Sequence, residues 1–239
     1  MTKPPAQNDR RNLPLLLRTH IVLREEGIAG IVRRLFIKVR HMYARLFPAQ
    51  IDHLYDTNFL SSRVEKNRYL PALASWIAKT IQPDSVLDVG CGDAALLTLL
   101  SQYHIPAYGL EGSTAAVKVA PSDVCVFQAD LNRSFLLNKQ FDLVCCIEVA
   151  EHLSRRSATT LIAGISSHAR KMIIFSAAHP NQGGLGHINE QPAEYWRKIF
   201  MLNNWTEDTV LSDQAKGVLR SAEAPWYLPQ NIMVFVKVS

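Results

Sequence analysis

Short apolar segments alternate with amphipathic ones through the middle of the chain. The apolar segments tend to end in glycine or acidic residues, as buried strands do, and the stretches between them have the apolar spacing of helices. The predicted strands cover residues 85–90, 106–112, 124–130, 141–148 and 171–177, with a closing strand at 231–239. Strict alternation of strands and helices is typical of a mostly parallel, doubly wound sheet with helices on both faces. The pattern therefore predicts an α/β fold.

Two further helices are predicted outside this alternation. The first covers about residues 62–80, where Pro71 is expected to kink or divide it. The second covers residues 193–202 and carries Tyr195, Trp196 and Phe200, whose side chains we expect to pack on the sheet rather than line a pocket.

The first 60 residues have a different pattern and form a predicted extension, residues 1–60. Their start is polar and proline-bearing, which predicts disorder. From Ile28 to Phe47 apolar residues recur at helical spacing, basic residues fall largely elsewhere around the helix, and Pro48 ends the pattern. Such a basic amphipathic helix could lie on an anionic membrane or contact RNA phosphates. Packing on the domain explains the same periodicity and is the preferred interpretation.

The net charge of +5 is distributed unevenly. Residues 1–50 hold ten of the 26 Lys and Arg residues but three of the 21 acidic residues, so the rest of the chain is slightly acidic. No apolar stretch is long enough to span a bilayer, and the four cysteines show no CxxC spacing. We therefore expect a cytoplasmic protein with free thiols, for which the basic helix is the candidate peripheral membrane contact.

Acidic side chains stand at the carboxyl ends of four successive predicted strands, where ligands of doubly wound sheets bind. They are Asp88, Glu111, Asp130 and Glu148, and the turn after the first strand adds Gly90, Gly92 and Asp93. The glycine turn also satisfies the loose dinucleotide pattern. Asp88 and Asp93 would repel a pyrophosphate but suit a cationic ligand such as S-adenosylmethionine, which disfavours a nicotinamide oxidoreductase.

The segments "VLDVGCGDAALL", "GLEGS", "FQADLN" and "FDLVCCIEVAEHL" resemble the successive motifs of class I S-adenosylmethionine-dependent methyltransferases, densely over about residues 84–177. The resemblance implies a seven-stranded Rossmann-like sheet and a methyltransferase domain over residues 61–239. It implies that Glu111 binds the ribose hydroxyls and that Asp130 with Leu131 meets the adenine. It implies that Asp88, Gly90 and Gly92 lie against the methionine part of the cofactor. Asp93 and Glu148 complete the predicted cofactor-binding residues. Ala94 stands where the family commonly has a third glycine.

The fourth strand ends in a Glu-x-x-Glu-His cluster formed by Glu148, Glu151 and His152. This cluster resembles that of quinone-precursor O-methyltransferases and of 2′-O-methyltransferases of small-RNA 3′ ends. His152 is the predicted catalytic base and Glu148 the predicted catalytic carboxylate facing the methyl group. Alternatively Glu148, Glu151, His152 and His187 hold Mg²⁺ or Mn²⁺, which would acidify an acceptor hydroxyl.

These observations predict a methyltransferase that modifies an oxygen of a small or lipid-linked metabolite, of the saccharide or quinone-precursor type. Two alternatives remain open: an RNA 2′-O-methyltransferase and a cofactor-binding module without catalysis. Nucleic acid is the less favoured partner, because no RNA-binding module is recognisable and the predicted catalytic domain is slightly acidic. The sequence does not predict an oligomeric state.

Overall fold

The computed structural model describes residues 67–238 of the chain. The extension predicted for residues 1–60, including its basic helix, lies outside these residues. Between residues 67 and 238, no helix combines the length and the apolarity needed to cross a bilayer.

Seven strands form one sheet in the order β3-β2-β1-β4-β5-β7-β6. They are β1 (Val86–Val89), β2 (Ala107–Glu111), β3 (Cys125–Gln128), β4 (Phe141–Ile147), β5 (Ala169–Ser176), β6 (Trp205–Glu207) and β7 (Met233–Lys237). The first five are parallel, and β7 runs antiparallel to both β5 and β6. This arrangement confirms the predicted doubly wound, mostly parallel sheet, and it brings the carboxyl ends of β1 to β5 to one edge.

Helices cover both faces of the sheet. They are α1 (Leu70–Trp76), α2 (Ala95–Ser101), α3 (Thr114–Val119), α4 (Arg155–His168), α5 (Ala193–Leu202), α6 (Thr209–Ser221) and α7 (Leu228–Asn231), with a π turn at Ile77–Ile81 and a 3₁₀ turn at Ala150–His152. One face packs against α4 and α5, the other against α1, α2 and α6. Adjacent strand residues point to opposite faces, so Cys145 joins one core and Cys146 the other, both as free thiols.

Most of the predicted elements agree with the structure, and the differences have local causes. Pro71 neither kinks nor divides α1, because it lies in the first turn, where its missing N–H has no helical partner to lose. The prediction did not place β6 or α6. β6 is only three residues long, which is too short to show a clear pattern. The start of α6 does carry a sequence signal, because Asp208 is a residue type that favours the position before a helix. In the structure its side chain accepts a hydrogen bond from Leu211 N–H (3.0 Å).

The helix predicted at residues 193–202 has those bounds in the structure, as α5. Its Trp196 and Phe200 are fully buried and lie against Phe175, with ring centroids 5.2 and 5.1 Å away. Both aromatic side chains therefore pack on the sheet, as predicted, whereas Tyr195 is half-buried and packs at the margin of the same core.

A buried carboxylate paired with two largely exposed cations joins β4 and β5 at the edge opposite the strand carboxyl ends. Asp142 is 1% exposed. Its carboxylate accepts hydrogen bonds from Arg170 Nε (2.6 Å), Lys171 Nζ (2.6 Å) and Asp84 N–H (3.1 Å). Burial alone would raise the pKa of Asp142, but the hydrogen bonds from Lys171, Asp84 and Arg170 outweigh it and hold the pKa well below its usual value.

We predict that Asp142→Asn lowers the free energy of unfolding by about 2 kcal/mol at pH 7, because charge-assisted hydrogen bonds are lost. A depressed pKa stabilises the fold above the unfolded-state value of about 4, and that stability is lost as the pH falls towards the folded-state value. Urea denaturation from pH 7 to pH 3 should show the gap to the wild type narrowing below pH 4. Asp213→Asn removes an exposed carboxylate that also pairs with a lysine, and it should change little. A gap that is constant across pH would contradict the assignment.

Candidate active site

The turn after β1 is built around glycines. Gly90 has a φ of +78°, and a Cβ atom there would lie 2.4 Å from Cγ2 of Val149, well inside contact distance. Gly92 has a φ of +59°. Gly90 N–H donates to the Leu110 carbonyl (2.7 Å), which draws the turn towards the end of β2. The close approach to Val149 leaves room for no side chain at position 90.

Glu111 ties this turn to the end of β2. One carboxylate oxygen accepts a hydrogen bond from Gly92 N–H and the other from Ser113 N–H, both at 2.7 Å. The side chain is buried, so both bonds are charge-assisted in a setting of low polarity. Each carboxylate oxygen can accept a second hydrogen bond, so the predicted ribose contact is compatible with this structural role.

Asp88, Asp93 and Ala94 lie on either side of the same turn. Asp88 is buried within β1, between Gly109 of β2 and Cys145 of β4. Asp93 is half-buried and accepts a hydrogen bond from Ala95 N–H (3.3 Å) at the start of α2. Ala94 has a φ of +62°, a left-handed conformation that costs alanine about 1 kcal/mol relative to glycine. Ala94 therefore has the backbone conformation expected of the glycine that the family commonly has here.

Asp130 and Leu131 follow β3 and face different surroundings. Asp130 is exposed, and its Oδ1 accepts hydrogen bonds from the backbone N–H (2.9 Å) and the side-chain amide (3.1 Å) of Asn132. Its Oδ2 lies 3.2 Å from Arg133 Nε. Leu131 is buried in the core beside α4. Asp130 thus shapes the turn that follows β3, and its contact with adenine remains a prediction.

Glu148 ends β4 in a strained conformation. Its φ is +55°, which is unusual for a residue other than glycine and typical of functional sites. Its two carboxylate oxygens accept hydrogen bonds from Gln182 Nε2 (3.1 Å) and Asn231 Nδ2 (3.0 Å). Asn231 Nδ2 also donates to Gln182 Oε1 (2.8 Å), so two amides from separate segments fix the carboxylate.

The sequence prediction missed three residues of this edge: His179, Gln182 and Asn231. His179 is half-buried, and burial lowers the pKa of its imidazole. Its Nε2 is buried without a hydrogen-bond partner among residues 67–238. The position of His179, three residues after β5, is the one sequence signal available, because that loop reaches the edge where β4 also ends.

Glu151, His152 and His187 come together as three of the four predicted metal ligands. One ligand atom from each lies within 4.8 Å of the others. The rings of His152 and His187 meet edge to face, with centroids 4.9 Å apart. Glu148 is not a member of this group, because Gln182 and Asn231 hold its carboxylate.

Glu151 is the most deeply buried acid of the site. It is fully buried, and neither carboxyl oxygen has a hydrogen-bond partner within the part of the chain that the structure describes. Burial raises the pKa of Glu151 well above its usual value, and the nearby charge of Glu148 raises it further. Its backbone carbonyl accepts hydrogen bonds from Ile188 N–H (2.9 Å) and Asn189 N–H (3.0 Å), which hold the loop after β5 against the 3₁₀ turn.

Comparison with known proteins identifies the family. Residues 87–165, which carry the glycine turn, Glu111, Asp130 and the Glu148 cluster, match a family described as a methyltransferase domain. Residues 87–165 therefore belong to a methyltransferase domain, and the strand order of the sheet is that of the class I S-adenosylmethionine-dependent type. No curated protein matches the chain in sequence.

The methyltransferase fold extends beyond the matched residues. A sugar N-methyltransferase from a Streptoalloteichus species has 16% identity and a TM-score of 0.60, with 77% of this chain and 94% of that chain covered. An amino pentose methyltransferase from Micromonospora echinaspora, solved with S-adenosylmethionine, has 15% identity and a TM-score of 0.59, with 77% and 98% covered. The magnesium protoporphyrin IX methyltransferase of Synechocystis, solved with S-adenosylhomocysteine, has 21% identity and a TM-score of 0.52, with 71% and 89% covered.

We predict that Gly90→Ala weakens S-adenosylhomocysteine binding about tenfold or more, because the new methyl group displaces the turn from Val149. Gly183→Ala is the matched control, since Gly183 also has a positive φ (+71°) but no atom lies within 4 Å of the place where its Cβ would be. Calorimetric titration of both variants separates close contact from backbone strain. Equal affinities for the two variants would contradict the role given to the Gly90 contact.

Proposed function

We propose that this methyltransferase modifies an oxygen of a small or lipid-linked metabolite, of the saccharide or quinone-precursor type. The observation that carries the proposal is the group formed by Glu151, His152 and His187 beside Glu148 at the end of β4. A hydroxyl acceptor must lose a proton when its oxygen attacks a methyl group. The imidazole of His152 in this group can accept that proton.

The residues of the turn and strand ends would orient the cofactor, which supplies an electrophilic methyl group on its sulfonium sulfur. In this proposal Glu111 accepts from the ribose hydroxyls, and Asp130 with Leu131 meets the adenine. The methionine end lies against Asp88, Gly90, Gly92, Asp93 and Glu148. In-line transfer requires alignment and exclusion of water, so the rigid mounting of these residues on strand ends favours the reaction.

His152 is the proposed proton acceptor, and Glu148 is the proposed carboxylate that orients the acceptor hydroxyl. Gln182 and Asn231 support this role because they fix both oxygens of Glu148 without neutralising its charge. Gly186 supports the role of His152, because a Cβ atom there would lie 3.3 Å from His152 Nδ1, so the loop after β5 closes on the imidazole.

The same group also fits a divalent cation. The donor set is one carboxylate and two imidazoles, and the unpartnered oxygens of Glu151 are buried donors of the kind that a cation would engage. Glu190 Oε1 lies 3.1 Å from His187 Nδ1, an arrangement typical of a ligand histidine oriented by a carboxylate. Bound Mg²⁺ or Mn²⁺ would lower the pKa of an acceptor hydroxyl.

A saccharide amine is the second candidate acceptor. Two of the structurally similar enzymes are a sugar N-methyltransferase and an amino pentose methyltransferase. An acidic edge also favours an acceptor that carries a cationic group. A saccharide amine is therefore included among the acceptors to be tested.

Transfer of radiolabelled methyl groups to matched acceptors tests the proposal: a methyl hexoside, its 2-amino analogue and a catechol. We expect transfer to a hydroxyl, and a rate about 100-fold lower for His152→Ala at unchanged S-adenosylhomocysteine affinity. His104→Ala, which removes an exposed histidine of the described chain, is the control. Transfer to the amine alone would make nitrogen the acceptor atom, and transfer to none of the three would contradict the acceptor class.

Titration with Mn²⁺, followed by electron paramagnetic resonance, tests the cation separately. If the group binds the metal, we expect saturable binding that is lost in His187→Ala and Glu151→Gln and retained in His104→Ala. Absence of binding by the wild-type protein would leave His152 as the base and remove the cation from the proposal.

A further inference from the structure

The loop between β3 and β4, residues 129–140, is fastened to α4 at three points. Leu137 N–H donates to Nε2 of His168 (2.8 Å), and Gln140 Nε2 donates to the carbonyl of Ser167 (3.0 Å). The ring of Phe135 covers Gly164. These contacts join the loop that carries Asp130 and Leu131 to a helix that lies outside the proposed site.

His168 forms part of this attachment through hydrogen bonds at both ring nitrogens. It is 2% exposed. Because Nε2 accepts the hydrogen bond from Leu137 N–H, the ring proton lies on Nδ1, which donates to the carbonyl of Gly164 (2.7 Å). The imidazole also stacks on Phe135, with centroids 5.2 Å apart and an angle of 26° between the planes. One histidine therefore connects the loop backbone, the loop aromatic and the helix backbone.

Gly164 sets how closely the loop approaches α4. A Cβ atom at this position would lie 2.8 Å from Cε1 and 2.9 Å from Cζ of Phe135, too close for the ring to stay where it is. Glycine in a helix interior costs about 1 kcal/mol relative to alanine, so the residue needs a reason of this kind. Gly217, inside α6, has no atom within 4 Å of the same position.

The attachment reaches the proposed adenine contacts through the core. Leu131 is a buried member of the core beside α4, and Phe135 packs against the same core. Interiors are close-packed, and a displaced ring must displace its neighbours. Asp130 precedes Leu131 directly, and its carboxylate holds the turn at Asn132.

We infer that Gly164, Phe135 and His168 are positioning residues that fix the adenine end of the cofactor site. The inference rests on the proposed function, which assigns the adenine contact to Asp130 and Leu131. It adds that α4 sets both the affinity for the cofactor and the selectivity for its base, although none of the residues assigned to the cofactor lies on α4.

Calorimetric titration of Gly164→Ala with S-adenosylhomocysteine tests the inference. We expect the affinity to fall about tenfold, because the methyl group pushes Phe135 and the loop away from α4. Gly217→Ala makes the same substitution inside another helix and should bind as the wild type does. Adding Phe135→Leu to Gly164→Ala should restore part of the affinity, since the smaller side chain relieves the close contact.

Base selectivity provides a readout that general destabilisation would not change. S-inosylhomocysteine lacks the 6-amino group that would donate a hydrogen bond to the Asp130 carboxylate. The wild type should therefore prefer S-adenosylhomocysteine. That preference should shrink in Gly164→Ala and in His168→Leu. It should be retained in His168→Gln, whose amide oxygen can still accept from Leu137 N–H. Melting temperatures recorded for each variant identify any that fails to fold.

The outcomes separate the inference from the proposed function. Wild-type affinity and selectivity in both Gly164→Ala and His168→Leu would overturn the inference alone. A wild-type protein that binds S-adenosylhomocysteine without preferring it to S-inosylhomocysteine would overturn the adenine assignment and the inference with it. Failure of the wild type to bind S-adenosylhomocysteine would overturn the proposed cofactor site itself.

Discussion

The paired hydrogen bonds of Glu111 are the constraint that organises the site. A single buried carboxylate holds Gly92 N–H on one side and Ser113 N–H on the other, and so joins the turn after β1 to the end of β2. Gly90 completes the arrangement by letting that turn approach Val149 at the end of β4. Three neighbouring strands thereby present their ends at fixed distances, as a preorganised cofactor site requires.

Parallel topology explains why so many acids share one edge. Each strand from β1 to β4 ends there, and each end is followed by an acidic residue or contains one. Such crowding is unfavourable unless the charges are compensated. Backbone N–H groups compensate Glu111, two amides compensate Glu148, and burial raises the pKa of Glu151 well above its usual value. A ligand with a sulfonium and an ammonium group suits the charge that remains.

The sequence predicts the sheet well because its central strands are buried on both faces and read as continuous apolar runs. It also predicts which residues lie at the binding edge, because the carboxyl ends of parallel strands all lie at the same edge of the sheet. It does not predict Asn231 as a partner of Glu148, because that contact depends on β7 entering the sheet antiparallel, between β5 and β6. Nor does it predict that Glu148 lies outside the group of Glu151, His152 and His187, because the amides that hold its carboxylate come from segments distant in sequence.

The acidic edge of the sheet should bind S-adenosylmethionine and exclude a dinucleotide. Competition calorimetry distinguishes the two ligands: the protein is titrated with S-adenosylhomocysteine, alone and in the presence of excess NAD. We expect one binding site whose affinity for S-adenosylhomocysteine is unaffected by NAD, because the carboxylates of Asp88 and Asp93 would repel the negatively charged pyrophosphate of NAD. Displacement of S-adenosylhomocysteine by NAD, or no binding of S-adenosylhomocysteine at all, would contradict this assignment of the edge.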